Sequence, residues 1–329
     1  MAKLHLDMAC TRSDRTEALF SGAVHPEGIS LTCIDLPPHE IFWRMVRFEE
    51  FDVSEMSLSS YMIAKERGRP RLVAIPVFPL RSFRHSFIFV HKDAAITKPE
   101  HLKGKRVGVP EYQMTAALWA RGILQDVYGV SPQDLRWVVG GQEQPGRTER
   151  LPINLPPGIE ITEVAQDTLN AMLSRRELDA IISPRFPRAD GSPLPCARRL
   201  FENYKEEEQK YYQATGIFPI MHTVAIREEL YVRHSWIAPR LLRAFKEAKS
   251  IWYSDLKTRG VLRIGLPWIA EAIEETITCL GEDFWPYGLA ANKRNLEAAA
   301  RYSYEQGLTH RLFTPEELFA PNALEEVPV

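Results

Sequence analysis

Short apolar runs and longer amphipathic stretches take turns along the chain. Lys3 to Ala9 alternates apolar with polar side chains and predicts a strand. The polar loop Thr11-Arg-Ser-Asp-Arg-Thr16 offers N-cap residues for a helix running to about Gly22. Ile29 to Leu36, rich in Ile, Leu and Thr, predicts a second strand. Pro37-Pro38 opens a helix carrying Ile41, Phe42, Met45, Val46 and Phe48. Phe51 to Met56 predicts a third strand, and Ser57 to Tyr61 begins the next helix. Strands and helices alternating at this spacing indicate a parallel sheet.

A second series follows an interruption. Leu72 to Pro79 is apolar, Arg81-Ser-Phe-Arg84-His85 breaks the run, and Phe87 to Val90 resumes it. Arg106 to Pro110 predicts a strand, and Gln113 to Tyr128 a helix stopped by Gly129. Leu135 to Val139 and Ile159 to Val164 predict strands on either side of a long Gly/Pro-rich segment. Asp167 to Leu178 predicts a helix and Ala180 to Ser183 a strand; the four prolines of 184–195 predict a loop. Lys205 to Lys210 reads as a solvated helix. His222 to Arg227 predicts a strand that crosses back to the first series, and helices over about 235–258, 267–281 and 290–305 complete the chain. The expected architecture is α/β in two lobes: 1–86 with 217–329, and 87–216.

The turn Leu102-Lys-Gly-Lys105 feeding Val107-Gly-Val109 resembles the start of the second lobe in type II periplasmic-binding-protein folds. That resemblance implies a two-lobed fold with a ligand cleft between the lobes, with 81–85 facing the cleft. Two arginines and a histidine in that stretch point to an anionic ligand.

Bulk properties narrow the function. A net charge of −2 leaves no electrostatic footprint for nucleic acid. No apolar run approaches the roughly 18 residues of a membrane span. The first 30 residues carry His5, Asp7, Arg12, Asp14, Arg15 and Glu17, unlike an export signal, so a cytoplasmic protein is expected. Cys10, Cys33, Cys196 and Cys279 form no CxxC pair and read as small buried apolar residues. HExxH and HxH are missing, so no metal is expected; Gly140-Gly141 is not a dinucleotide-binding GxGxxG.

Several segments together carry a family resemblance: Met56-Ser-Leu-Ser-Ser-Tyr61, Ile75-Pro-Val-Phe-Pro-Leu-Arg-Ser-Phe-Arg-His85, Gly108-Val-Pro-Glu-Tyr-Gln-Met-Thr115, Phe218-Pro-Ile-Met-His-Thr223 and Asp283-Phe-Trp-Pro-Tyr-Gly288. With them the chain resembles the 4,5-dihydroxyphthalate decarboxylases over most of its length. The resemblance implies a cytosolic enzyme that, without a cofactor, converts a small aromatic dicarboxylate to protocatechuate and carbon dioxide.

That reaction sets the side-chain requirements. Direct loss of carbon dioxide would leave an unstabilised aryl anion. Protonating the ring carbon, with the para phenolate pushing electrons in, avoids it. A cationic clamp, a base for the phenol and an acid for the ring carbon are needed. Arginine suits the clamp, because its planar fork matches a carboxylate. Ligands of parallel sheets meet the carboxyl ends of strands. That rule selects Arg12 and Arg15 after the first strand, Ser57 to Ser60 with Ser59 among them after the third, Arg81 to His85 with Arg84 among them after the fourth, and Arg185 and Arg188 after Ile181-Ile182. Tyr112 and Thr115 sit at a helix start that favours an anion. His85, His222 and Glu55 are the proton-transfer candidates. Each has a plainer alternative: a surface arginine, a turn histidine bonded to a carbonyl, a satisfied hinge histidine. The alternative function is a non-catalytic binding protein or sensor for a small aromatic acid. The aromatic C-terminal helices could pack on lobe one or on another subunit, which leaves a homo-oligomer open.

Overall fold

A computed structural model describes residues 3–258 and 265–324. The chain divides into two compact units. Unit one comprises Met1–Arg81, His222–Glu297 and Phe313–Val329; unit two comprises Ser82–Met221 and Ala298–Leu312.

Unit one begins with β1 (Leu4–Cys10), α1 (Glu17–Phe20), β2 (Ile29–Asp35), α2 (Pro38–Phe48), β3 (Val53–Ser57), α3 (Leu58–Arg67) and β4 (Leu72–Ile75). Proline opens α2, its fixed φ suiting the first turn. Ile41, Phe42 and Met45 form its buried stripe. Ser57 caps α3, and Gly68 ends it at φ +67°, where a Cβ would be strained. β4 stops at Ile75 because Pro76 and Pro79 have no N–H for a ladder. The helix expected to reach Gly22 is one turn long.

Unit two follows with β5 (Ile88–His91), β6 (Arg106–Val109), α4 (Thr115–Tyr128), β7 (Arg136–Gly140), β8 (Ile161–Val164), α5 (Leu169–Ser174), β9 (Ala180–Ile182), β10 (Arg188–Ala189), β11 (Ser192–Pro193), β12 (Ala197–Arg199) and α6 (Tyr204–Thr215). Its sheet has the order β12-β5-β9-β6-β7-β8, with β5 antiparallel to both neighbours and β6 to β9 parallel throughout. Gly108 lies in β6 because a Cβ there would meet Leu178 at 2.8 Å and Leu169 at 3.1 Å. Those two leucines join Val138, Leu173, Ile181 and Leu194 in one apolar cluster. α5 is shorter than its sequence period suggests, since Arg176 turns left-handed at φ +62° two residues past its end. The proline-rich loop contains the small β10–β11 hairpin.

The chain then re-enters unit one as β13 (His222–Arg227), followed by α7 (Glu228–Arg233), α8 (Ile237–Thr258), α9 (Ile269–Leu280) and α10 (Lys293–Glu305), whose residues from Ala298 on belong to unit two. β13 lies antiparallel between β3 and β4, completing the order β2-β1-β3-β13-β4. α8 buries Ile237, Leu241, Leu242, Phe245 and Ala248, a helical stripe that packs on α1 and β4. No helix among the described residues is long and apolar enough to cross a membrane.

Candidate active site

All five residues of β3 are buried, yet three of them are polar: Ser54, Glu55 and Ser57. A charge in such a strand is costly unless it is paired. Sheet register supplies the pair. β13 runs antiparallel with His222 opposite Ser57 and Val224 opposite Glu55. His222 and Glu55 are therefore diagonal neighbours on one face, within reach of long side chains. His222 Nδ1 lies 2.5 Å from Glu55 Oε1. On the other side β1 runs parallel to β3, with Ala9 abreast of Ser54. The next step brings Cys10 to Glu55, and its thiol lies 3.6 Å from Oε2. The Thr11 amide donates to the same oxygen at 2.8 Å. Phe42 meets the His222 ring edge-on, 4.8 Å between centroids.

Burial raises the Glu55 carboxyl, but His222 and the Thr11 amide outweigh it, and its pKa lies below the usual range. Glu55 is thus a carboxylate at neutral pH. Burial, with Glu55 beside it, raises the Cys10 thiol far above its ordinary value. Cys10 is a neutral donor to Glu55, not a thiolate nucleophile. With Nδ1–H donating to Glu55, Nε2 of His222 is left as an acceptor for a proton.

Cations and aromatic rings of unit one gather on the loop after β4 and on the segment from Asp283 to Gly288. The Arg15 guanidinium lies 4.2 Å from the Trp285 ring centroid, and its Nε donates to Pro79 O at 3.1 Å. Arg81 is buried and donates to Pro286 O at 2.8 Å and to Asn292 Oδ1. Lys249 donates to Asp283 at 2.8 Å and to Trp285 O at 3.1 Å. The segment from Asp283 to Gly288 is therefore docked on the loop after β4. Ser57 and Ser59 are buried; the Ser57 hydroxyl accepts from Ser60 N at 3.5 Å. Arg12, in contrast, is half-exposed and forks onto Glu17 at 2.7 and 2.8 Å.

The remaining expected residues belong to unit two. Arg84 is buried over the Phe87 ring at 4.9 Å, and its Nε and Nη1 have no hydrogen-bond partner among the described residues. Burial brings its pKa down to about 9, partly offset by Glu208. His85 is walled by Phe201, Tyr211 and Tyr128 at 5.2, 5.3 and 6.1 Å. Neither of its ring nitrogens has a hydrogen-bond partner among the described residues, and burial depresses its pKa to about 4. Tyr112 lies beneath Arg121, 3.7 Å from ring centroid to guanidinium carbon, and Thr115 is the buried first residue of α4. The amides beside Tyr112 are already occupied. Glu149 accepts from Tyr112 N, from Gln113 N at 3.2 Å and from Gln113 Nε2 at 2.9 Å. Glu111 is held by Arg147 and Arg150, with closest approaches of 2.5 and 2.8 Å. Arg185 is exposed; its carbonyl accepts from Gln142 at 3.3 Å and its amide donates to the Ser183 hydroxyl at 3.2 Å.

Sequence reasoning missed Cys10, Tyr287 and the Glu111–Glu149 network. The last has no local signal, because its members are some 36 to 39 positions apart. Among the described residues no group of three or more His, Cys, Asp or Glu is arranged to hold a metal ion.

Comparison with known proteins shows the family of the chain. Over 330 aligned residues, all of both chains, the protein is 36% identical to a 4,5-dihydroxyphthalate decarboxylase of Comamonas testosteroni. The chain belongs to the 4,5-dihydroxyphthalate decarboxylase family. A second member, from Pseudomonas putida, is 37% identical over 215 residues, covering 65% of this chain and 83% of that protein. Residues 39–145 also match the ABC transporter, phosphonate, periplasmic substrate-binding protein family. In fold, this decarboxylase-family chain is similar to the alkanesulfonate-binding protein SsuA from Xanthomonas axonopodis pv. citri, with a TM-score of 0.51 at 12% identity over 98% of each chain. SsuA from Escherichia coli gives 0.51 at 12% identity over 98% of this chain and 99% of its own. The family is one of carboxy-lyases on a periplasmic-binding-protein-like fold, as the sequence resemblance implied.

Proposed function

We propose that this protein decarboxylates 4,5-dihydroxyphthalate to protocatechuate and carbon dioxide, with His222 as the base and Glu55 as its partner. Full-length identity with the Comamonas testosteroni decarboxylase carries the reading. The buried Glu55–His222 pair is the chemistry that supports it.

Each carboxylate of the substrate is para to one phenol. His222 Nε2 takes the phenol proton, and Glu55 stabilises the imidazolium that results. The phenolate raises electron density at the para carbon. That carbon accepts a proton drawn from solvent water, the ring becomes quinoid there, and the bond to the carboxylate breaks. Both electrons of that bond return to the ring, and carbon dioxide leaves. His222 then returns its proton to the phenolate oxygen. The net balance is one carboxylate replaced by one proton. Arg15 and Arg81 supply the positive charge near the pair and are the proposed anchors for substrate carboxylate. The four free cysteines suit a reducing compartment such as the cytoplasm.

Purified protein incubated with 4,5-dihydroxyphthalate in D2O should release carbon dioxide catalytically and place one deuterium at the vacated ring position. Stoichiometric binding without carbon dioxide release would instead identify a binding protein.

A further inference from the structure

Near the Glu55–His222 pair the Tyr287 hydroxyl is left unanswered. Tyr287 is buried, and its OH has no hydrogen-bond partner among the described residues. Its backbone is firmly held. Gly288 N donates to Pro76 O at 2.8 Å, and Trp285 Nε1 donates to Phe78 O at 2.8 Å. The Asn292 amide donates to the carbonyls of Pro286 and Gly288 at 3.0 and 2.7 Å. Lys249 Nζ lies 5.3 Å from the Tyr287 ring centroid. The titratable groups that act on the phenol are Arg15, Cys10, Arg81 and Glu55, the side chains of the candidate site. Burial first, then the neighbouring thiol and carboxylate, push its pKa up against the two arginines, so it stays protonated at neutral pH.

Phenylalanine would fill the same volume without stranding a hydroxyl, and buried polar groups of native proteins are normally bonded. The hydroxyl therefore calls for a partner that arrives with a ligand. The hydroxyl is an O–H donor, and the partner with which such a donor forms its strongest bond is an oxyanion.

We infer that the Tyr287 hydroxyl donates a hydrogen bond to a carboxylate oxygen of the bound aromatic acid. The inference rests on the decarboxylase reading above. Tyr287 would then hold the carboxylate end of the substrate while His222 works on the phenol.

The test is Tyr287→Phe, with thermal unfolding as the check on folding. Tyr287→Met, which occupies the ring's place without a hydroxyl, repeats it in a second packing. Titration calorimetry uses phthalate, which has the carboxylates alone, and catechol, which has the phenols alone. Carbon dioxide release from 4,5-dihydroxyphthalate is followed in parallel. Loss of one hydrogen bond to a charged group should weaken phthalate binding and lower kcat/KM by roughly 10-fold to 150-fold. Catechol affinity should not change. Unchanged phthalate affinity in the folded variants overturns the assignment, and so does a loss confined to catechol. Wild-type protein that binds phthalate through Tyr287 but releases no carbon dioxide would sink the decarboxylase reading and leave the Tyr287 contact standing.

Discussion

The two units treat their buried histidines in opposite ways. In unit one His222 is bonded to Glu55, which is bonded in turn to the Thr11 amide and the Cys10 thiol. In unit two His85 is enclosed by three aromatic rings, with neither nitrogen bonded, next to Arg84, whose Nε and Nη1 are also unmet. A bonded pair orients a ring and sets its tautomer. A ring boxed by aromatic side chains is held neutral at pH 7 by burial. The type of residue is the same in both places; the partner decides whether it can move a proton.

Removing the partner should break this contrast most strongly. Glu55→Gln and His222→Gln should each slow turnover by about 100-fold to 10,000-fold, the usual worth of a general base. The double variant should be little worse than either single one, because the two side chains act as a unit. His85→Gln should keep turnover near the wild-type value. Rates of carbon dioxide release for the four variants decide the matter. Loss of turnover in His85→Gln alone would transfer the proton-moving role to unit two.

Arg84 tests whether unmet groups in unit two await an anion. A hydrogen bond from a charged donor contributes about 1.5–3 kcal/mol. Arg84→Met should therefore weaken substrate handling by roughly 10-fold to 150-fold if that anion is the substrate. Lys205→Ala, in the charged first turn of α6, is the control and should leave KM unchanged. Equal KM and kcat for Arg84→Met and wild type would make Arg84 a packing residue.

The strand and helix series was legible because periodicity reports burial, and it located β1, β3, α2 and α4 to within a few residues. Glu55 and His222 were both visible as candidates, one at a strand end and one at a return strand. Their pairing was not, because it depends on β13 inserting between β3 and β4, some 167 residues along the chain from Glu55. Glu149 was hidden for the same reason: it reaches the Tyr112 and Gln113 amides from a loop with no periodicity. Tyr287 lay inside a quoted segment, but nothing in Phe-Trp-Pro-Tyr says which ring faces the site.

His85 also gives the comparison a pH signature. Its pKa is about 4 in the fold, against about 6.5 for a free imidazole. The unfolded chain therefore binds the extra proton between those values, and stability falls as pH drops through that window. At pH 5 the loss relative to neutral pH should be about 2 kcal/mol. His85→Phe should remove it, flattening the denaturant-measured stability between pH 7 and 5. Glu55 acts lower: its depressed pKa gives stability that is present above the unfolded carboxylate value and lost as pH falls through the folded one. A His85→Phe profile as steep as wild type between pH 7 and 5 would mean that the ring is not held neutral.

The smallest effect separates a structural from a ligand role for Ser57, which lies directly opposite His222 on the face that bears Glu55. Its hydroxyl caps α3 by accepting from Ser60 N, and at 3.5 Å the bond is long. Loss of a serine cap costs about 0.5–2 kcal/mol, and a long bond belongs at the low end. Ser57→Ala should therefore lower stability by about 0.5–1 kcal/mol and leave phthalate affinity unchanged. Chemical denaturation and titration calorimetry on the same preparation read the two quantities separately. A variant of wild-type stability that binds phthalate more weakly would move Ser57 from the helix cap to the substrate, and with it extend the bonded network of unit one by one further side chain.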